Sequence, residues 1–399
     1  MAREPTFENA LEFAADLIRI PSPPGEEAAV AARVREEMEA LGLDDVRVDA
    51  AGNVIGVGRG TGEAPPVLLS CHLDVVAEGD PSEWDVPPFS GEVRDGFLHG
   101  RGAMDIKGPL ALQTYVAAGL AGTAPGDVIV AHTVMEERGG LGMSYLLDSG
   151  TVSPAAVVIG EATHGDICVG HRGRAEIEVV IHGLAGHASA PERGRNALDL
   201  LGAVLEAVAD LAADQPEDEV LGRASLTATG VEVLPESRNV IPDRVTVVLD
   251  WRVLPEQDEE ALVRAVRDAL AARIPIVPRG FGIEVAMASE HQTTYTGLDE
   301  ERVIFAPGFL MDREHPAVQA AARAVGRWDD FDEPATVRPW TFATDGGWSC
   351  GVHGIPTLGF APGEERYAHT NRERLDVREA RWAFARQADL IVAMQRALA

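Results

Sequence analysis

Apolar side chains recur at helical spacing over residues 7–19, behind a threonine, Thr6, of the type that caps a first turn. Pro21, Pro23 and Pro24 stop that pattern. Residues 26–41 repeat the amphipathic period and end at Gly42. The pattern then changes to short, almost wholly apolar runs at 67–70, 127–134 and 155–160, rich in β-branched residues. Runs of that length and composition predict strands buried on both faces. Helical stretches at 109–120 and 140–147 separate them, and strands alternating with helices predict an α/β layer fold.

The texture changes again near Gly173. Residues 174–181 alternate polar and apolar, which predicts a strand in a sheet with one face in water. Residues 196–212 are helical, 224–233 and 244–253 strand-like, 259–273 helical and 282–288 extended. That β-α-β-β-α-β order predicts a ferredoxin-like insert of about 120 residues. Residues 295–314, punctuated by Gly and Pro, read as a long loop, and a helix at 316–325 and a strand at 357–360 return the chain to the first domain. The expected boundaries are 1–172 and 291–399 for the two parts of one domain, and 173–290 for the insert.

A chain of 399 residues is too long for one ordinary core, which agrees with two domains. Its 46% hydrophobic content describes a globular chain, not a disordered one. A net charge of -30 argues against nucleic acid and anionic membranes as partners. Glu4, Glu8, Glu12 and Asp16 stand where a secretory leader needs a basic start and an apolar run. No run approaches the roughly 18 apolar residues of a membrane span. Cys71, Cys168 and Cys350 are an odd number and widely spaced, which suits reduced thiols and a cytoplasmic location. Lys107 is the only lysine. The acidic excess fits a saline or hot habitat.

Five short segments hold nearly all the ionisable residues beside the apolar strands: 72–74, 100–105, 135–137, 160–161 and 368–369. Three of them directly follow predicted buried strands, and in open α/β sheets ligand sites form at the carboxyl ends of strands. Singly, each has a bland reading. A histidine after a strand is more often structural, a Glu-Glu pair more often solvated surface, an Asp in a Gly-rich loop more often a turn residue. Together they are different. Imidazoles with carboxylates make a ligand set for Zn²⁺ or a similar ion, and a carboxylate between two such ions can bridge them at roughly 3.5–4 Å.

The motifs LLSCHLDVV (68–76), LHGRGAMDIKG (98–108), TVMEERGG (133–140), VIGEAT (158–163), GHASAP (186–191), SRNVIPD (237–243), DWRVLP (250–255) and GFAPGEERYAHTNRE (359–373) run in order along the chain. In them the sequence resembles the M20-type zinc metallopeptidases and amidohydrolases. That group holds acetylornithine deacetylases, succinyl-diaminopimelate desuccinylases, aminoacylases and glutamate carboxypeptidases. The resemblance spans essentially the whole chain. It implies a zinc-exopeptidase-like catalytic domain, with a mixed sheet flanked by helices, and an inserted ferredoxin-like α+β lid through which two chains dimerise.

The resemblance also implies roles. His72, Asp105, Glu137, Glu161 and His369 would hold two divalent ions, Zn²⁺ or in its place Co²⁺ or Mn²⁺, with Asp105 between them. Asp74 would fix the tautomer of His72, and Glu136 would be the general base. His187 would approach the oxyanion from the partner subunit of a homodimer, with Asn239 near it, and Arg174, Arg252 and Thr344 would touch substrate. The expected activity is hydrolysis of the amide bond of an N-acyl amino acid. The alternatives are a dipeptidase or carboxypeptidase, an N-carbamoyl or ureido amidohydrolase, and a silent binding protein that would have lost a ligand or the base. Three departures stand out. Arg372 replaces the usual Asn or Asp three residues after His369. Thr344-Asp345-Gly346-Gly347-Trp348-Ser349 stands where relatives that bind succinyl substrates often read Ser-Gly-Gly-Thr-Ser-Asp. Residues 283–288 carry no arginine, whereas some glutamate-cutting members have one there.

Overall fold

The computed structural model describes residues 3–328 and 332–399, so the first two residues of the acidic amino-terminal stretch lie outside it. Two compact units divide the chain. One comprises 1–171, 292–300 and 309–399, and the other 172–291 and 301–308.

In the first unit the apolar runs form the middle of an eight-stranded mixed sheet. Val67–His72 pairs in parallel with Val128–Thr133 on one side and Ala156–Ile159 on the other, and Thr357–Gly359 extends the parallel set. Every residue of Val67–His72 and Val128–Thr133 is buried, which is why these strands read as continuous apolar runs. The helix Lys107–Leu120 lies on this sheet and packs against the helices Phe7–Ile18 and Val377–Leu398. Thr6 caps Phe7–Ile18, its hydroxyl accepting the N–H of Asn9. Because the strands are parallel, their carboxyl ends lie at one edge of the sheet. His72, the turn Glu136–Arg138 and Glu161 emerge there.

In the second unit the strand Gly173–His182 alternates strictly, burying Ala175, Ile177, Val179 and Ile181. It is flanked by Arg244–Val253 and Gly282–Met287, and Ser225–Leu234 completes an antiparallel sheet outside Arg244–Val253. The helices Leu201–Ala213 and Glu259–Arg273 pack together against it. This is the ferredoxin-like order.

Segment 295–314 is not the long loop that its glycines and prolines suggest. Asp299–Val303 pairs with Ser289–Thr293, Phe305–Ala306 with Gly173–His182, and Phe309–Leu310 with Gly170–His171. Strands of two to five residues are too short to show a period. The edge strand Asp44–Val48, its inner neighbour Val54–Gly58 and the helix Val377–Leu398 are also absent from the sequence pattern. That helix buries Ala380, Ala383, Leu390, Ile391 and Met394 together with the polar Glu379, Gln387 and Gln395, which interrupt its apolar stripe. Among the described residues no helix is long and apolar enough to cross a membrane.

Trp251 is fully buried in the second unit, and its Nε1–H donates to Gln215 Oε1 at 2.7 Å. Trp251→Ala should destabilise this unit by about 3–5 kcal/mol through the cavity and the unpaired amide. Denaturant unfolding followed by circular dichroism checks this, and an unchanged midpoint would contradict it.

Candidate active site

Asp105 lies just before the helix Lys107–Leu120, and each of its carboxylate oxygens faces a different imidazole. Oδ1 is 3.2 Å from His72 Nε2, and Oδ2 is 3.2 Å from His369 Nε2. Glu161 Oε1 stands 3.2 Å from His72 Nε2, and Glu137 Oε1 stands 3.1 Å from His369 Nε2. Two groups of three donors result, His72–Asp105–Glu161 and Asp105–Glu137–His369, with Asp105 in both. His72 Nδ1 donates to the main-chain carbonyl of Asp74 at 2.7 Å. In the neutral ring this leaves the lone pair on Nε2, the atom turned toward Asp105 and Glu161.

The carboxylate of Asp74 has another task. It lies 3.7 Å from His72 Nδ1, while its two oxygens accept the N–H groups of Glu136 at 3.1 Å and Glu137 at 3.0 Å. The two glutamates therefore sit on a turn pinned from beneath. Asn53 Oδ1 accepts the N–H of Val134 at 3.1 Å, and Glu27 Oε1 that of Met135 at 3.2 Å. The Asp105 loop is held in the same way. Glu373 Oε1 accepts the N–H groups of Met104 at 3.2 Å and Asp105 at 3.1 Å, and its other oxygen takes Arg101 at 2.5 Å.

Electrostatics show what the cluster lacks. Burial and the charge of Asp105 push the Glu161 carboxyl up to about 7. Burial raises Glu136 well above the carboxylate range. Hydrogen bonds to Asp105 and Glu137 raise His369 to about 10. Burial opposes a proton on His72, but its bonds to Asp105 and Glu161 outweigh that and raise it strongly. Four carboxylates and two imidazoles thus share a place where positive charge is scarce, and Glu136, Glu161, His72 and His369 hold their protons more tightly to compensate, while the two imidazoles keep Asp105 ionised. A donor set of imidazole nitrogen and carboxylate oxygen is one that divalent cations of the zinc type accept, and they would bring the missing charge. The residues present fit such ions.

Thr344 is buried in the first unit. Its N–H donates to His171 Nε2 at 3.0 Å, and its hydroxyl accepts the N–H of Gly346 at 3.1 Å. Asp345 beside it is buried too, with Oδ2 accepting the Thr133 hydroxyl at 2.8 Å. Trp348 donates its Nε1–H to the carbonyl of Gly139 at 2.9 Å, next to the Glu136–Arg138 turn.

The other four predicted residues lie in the second unit. His187 and Asn239 are exposed, and the strands Gly186–His187 and Val240–Ile241 pair beside them. Ser189 donates its N–H to His187 Nδ1 at 3.1 Å, so the neutral ring carries its proton on Nε2. Arg174 and Arg252 face each other on neighbouring strands, and Asp250 accepts from Nε of both at 2.9 Å.

Sequence reasoning missed Glu27 and Asn53. A glutamate at the start of a helix is expected for the helix dipole alone and gives no signal. Asn53 gave a weak one, a polar residue entering a buried strand.

The model of the family described as Peptidase family M20/M25/M40 matches residues 68–392. The uncharacterized protein YgeY of Escherichia coli (strain K12) is 32% identical over 367 residues, 91% of this chain and 88% of that one. A succinyl-diaminopimelate desuccinylase of Paracoccus denitrificans is 31% identical over 299 residues, 72% of this chain and 78% of that one. Aminopeptidase PepT from Bacillus cereus superposes with a TM-score of 0.72 at 22% identity, covering 98% of this chain and 99% of that one. The Bacillus subtilis YXEP protein, described as a dinuclear metal binding peptidase from the M20 family, superposes with a TM-score of 0.70 at 16% identity, covering 98% of both chains. The chain belongs to the M20/M25/M40 peptidase family and is a metallo-hydrolase acting on amide bonds.

Proposed function

We propose that this protein hydrolyses the amide bond of an N-acyl amino acid at a two-metal centre. One observation carries the reading: Asp105 offers one oxygen to each of two donor groups. His72, Asp105 and Glu161 would hold one ion, and Asp105, Glu137 and His369 the other. Zinc suits these donors, and cobalt or manganese can replace it. Bound there, the ions supply Lewis acidity and a water that is easily deprotonated.

Glu136 belongs to neither donor group and is the proposed base. It takes the proton from the attacking water and passes it to the leaving amine. His187, with its proton fixed on Nε2, donates to the oxyanion of the tetrahedral intermediate, with Asn239 close by. Arg174 and Arg252, held side by side by Asp250, suit the carboxylate of an amino-acid substrate. Thr344, buried with its hydroxyl engaged, suits the support of its own turn better than substrate contact. Family resemblance supports a homodimer in which residues 173–290 act as lid and supply His187 across the interface. The three free thiols suit a reducing cytoplasm.

The name of the Paracoccus denitrificans relative favours an acyl amino acid over a dipeptide as substrate. Rates on N-acetyl-, N-succinyl- and N-carbamoyl-amino acids and on dipeptides test this. Faster cleavage of dipeptides would overturn it.

The purified protein should bind two divalent ions per chain and lose its activity to a chelator, and Asp105→Ala should lose both ions. Glu136→Gln should keep both metals and lose about 10²–10⁴ in rate. Glu137→Gln should weaken one metal. Metal analysis beside kinetics checks these outcomes, and metal loss in Glu136→Gln with retention in Glu137→Gln would reverse the two roles.

Metal-free protein should lose stability as pH rises from about 4 to 7. Burial raises Glu27 and Glu373 from 4.5 to about 7, and Asp74 and Asp345 from 3.8 to about 6. In that window the folded chain binds more protons than the unfolded one, so stability falls with rising pH. Thermal melting across the window reads this, and a rising melting temperature would contradict it.

Mixed dimers of His187→Ala and Glu136→Gln chains should recover part of the activity that each homodimer lacks. An inactive mixed dimer would show that His187 does not act across the interface.

A further inference from the structure

Glu27 precedes the helix Ala28–Ala40, yet its carboxylate does not cap that helix. The side chain is fully buried, Oε1 accepts the Met135 N–H at 3.2 Å, and Oε2 has no partner. A buried carboxylate with an unpaired oxygen is costly to the fold, and Asp74 adds a second negative group nearby. Stability alone gives no reason to keep it.

Its partner supplies one. Met135 is the residue before Glu136, and it holds φ at 58°, in the left-handed region that a methionine rarely adopts. The strained residue is where the buried strand turns into the Glu136–Arg138 turn. Four successive N–H groups in this stretch go to side chains from elsewhere in the unit: Val134 to Asn53, Met135 to Glu27, Glu136 and Glu137 to Asp74. Gly25 allows the approach of the Glu27 segment. It has φ +87°, and a Cβ there would meet the carbonyl of Thr293 at 3.0 Å.

We propose that Glu27 is a positioning residue, whose hydrogen bond to the Met135 N–H holds the left-handed kink and so aims Glu136 at its proton. This rests on the reading of Glu136 as the base. The bond needs an acceptor oxygen and not a charge, so the amide of glutamine keeps it. An alanine removes it and leaves the Met135 N–H buried without a partner.

The test is steady-state kinetics with metal content and thermal melting on Glu27→Ala, Glu27→Gln, Glu136→Gln and the double variant Glu27→Ala/Glu136→Gln. Glu27→Ala should lower kcat about 10–100-fold, since small displacements of a catalytic group carry penalties of that order. KM should stay within about twofold and both metals should remain. Glu27→Gln should keep kcat within about threefold, which separates the bond from loss of the fold. The double variant should be no slower than Glu136→Gln, because Glu27 acts only through that side chain. A normal rate for Glu27→Ala, a metal loss that accounts for its defect, or failure of Glu27→Gln to restore kcat would overturn the proposal. With Glu136→Gln slow, additive effects in the double variant would overturn the role of Glu27 alone. A normal rate for Glu136→Gln would overturn the base reading and this proposal with it.

Discussion

Negative charge gathered at the carboxyl ends of buried parallel strands is the constraint on which the rest of the first unit depends. Asp105, Glu136, Glu137 and Glu161 share one place with two imidazoles, and Asp105 divides its oxygens between them. Such a cluster is stable only when cations or protons neutralise it. The raised Glu161, Glu136 and His369 show protons in that role. The family to which the chain belongs gives the role to metal.

Around the cluster the chain uses main-chain hydrogen bonds to fix its donors. Asp74, Asn53, Glu27 and Glu373 each accept N–H groups from the segments that carry the chemistry. Three of the four are buried carboxylates, so the support adds to the charge that it organises. A site of this kind trades stability for geometry. The second unit shows the same habit at its surface. Asp250 orders two arginines, and Ser189 selects the tautomer of His187.

Much of this was legible in the sequence, and the reasons are physical. Val67–His72 and Val128–Thr133 are buried on both faces, so they had to be apolar throughout, and Gly173–His182 is buried on one, so it had to alternate. Chemistry-bearing residues at the ends of such strands stand out against them, which is how His72, Glu136, Glu137 and Glu161 were found. The helix Val377–Leu398 was missed because Glu379, Gln387 and Gln395 interrupt its buried apolar face, and the short pairings within 295–314 because strands of two to five residues cannot display a period. Glu27 was missed because its chemistry is set by a partner 108 residues away. The segments that carry Asp105 and His369 end no predicted strand, and the role of every one of these residues was implied by motif resemblance.

The most direct test of the shared carboxylate is an anomalous-scattering map from crystals of the zinc-loaded protein, collected above and below the zinc edge. Two peaks roughly 3.5–4 Å apart are expected, one beside His72 and Glu161, one beside His369 and Glu137, with the Asp105 carboxylate between them. A single peak, or two peaks that do not share Asp105, would contradict the two-metal centre.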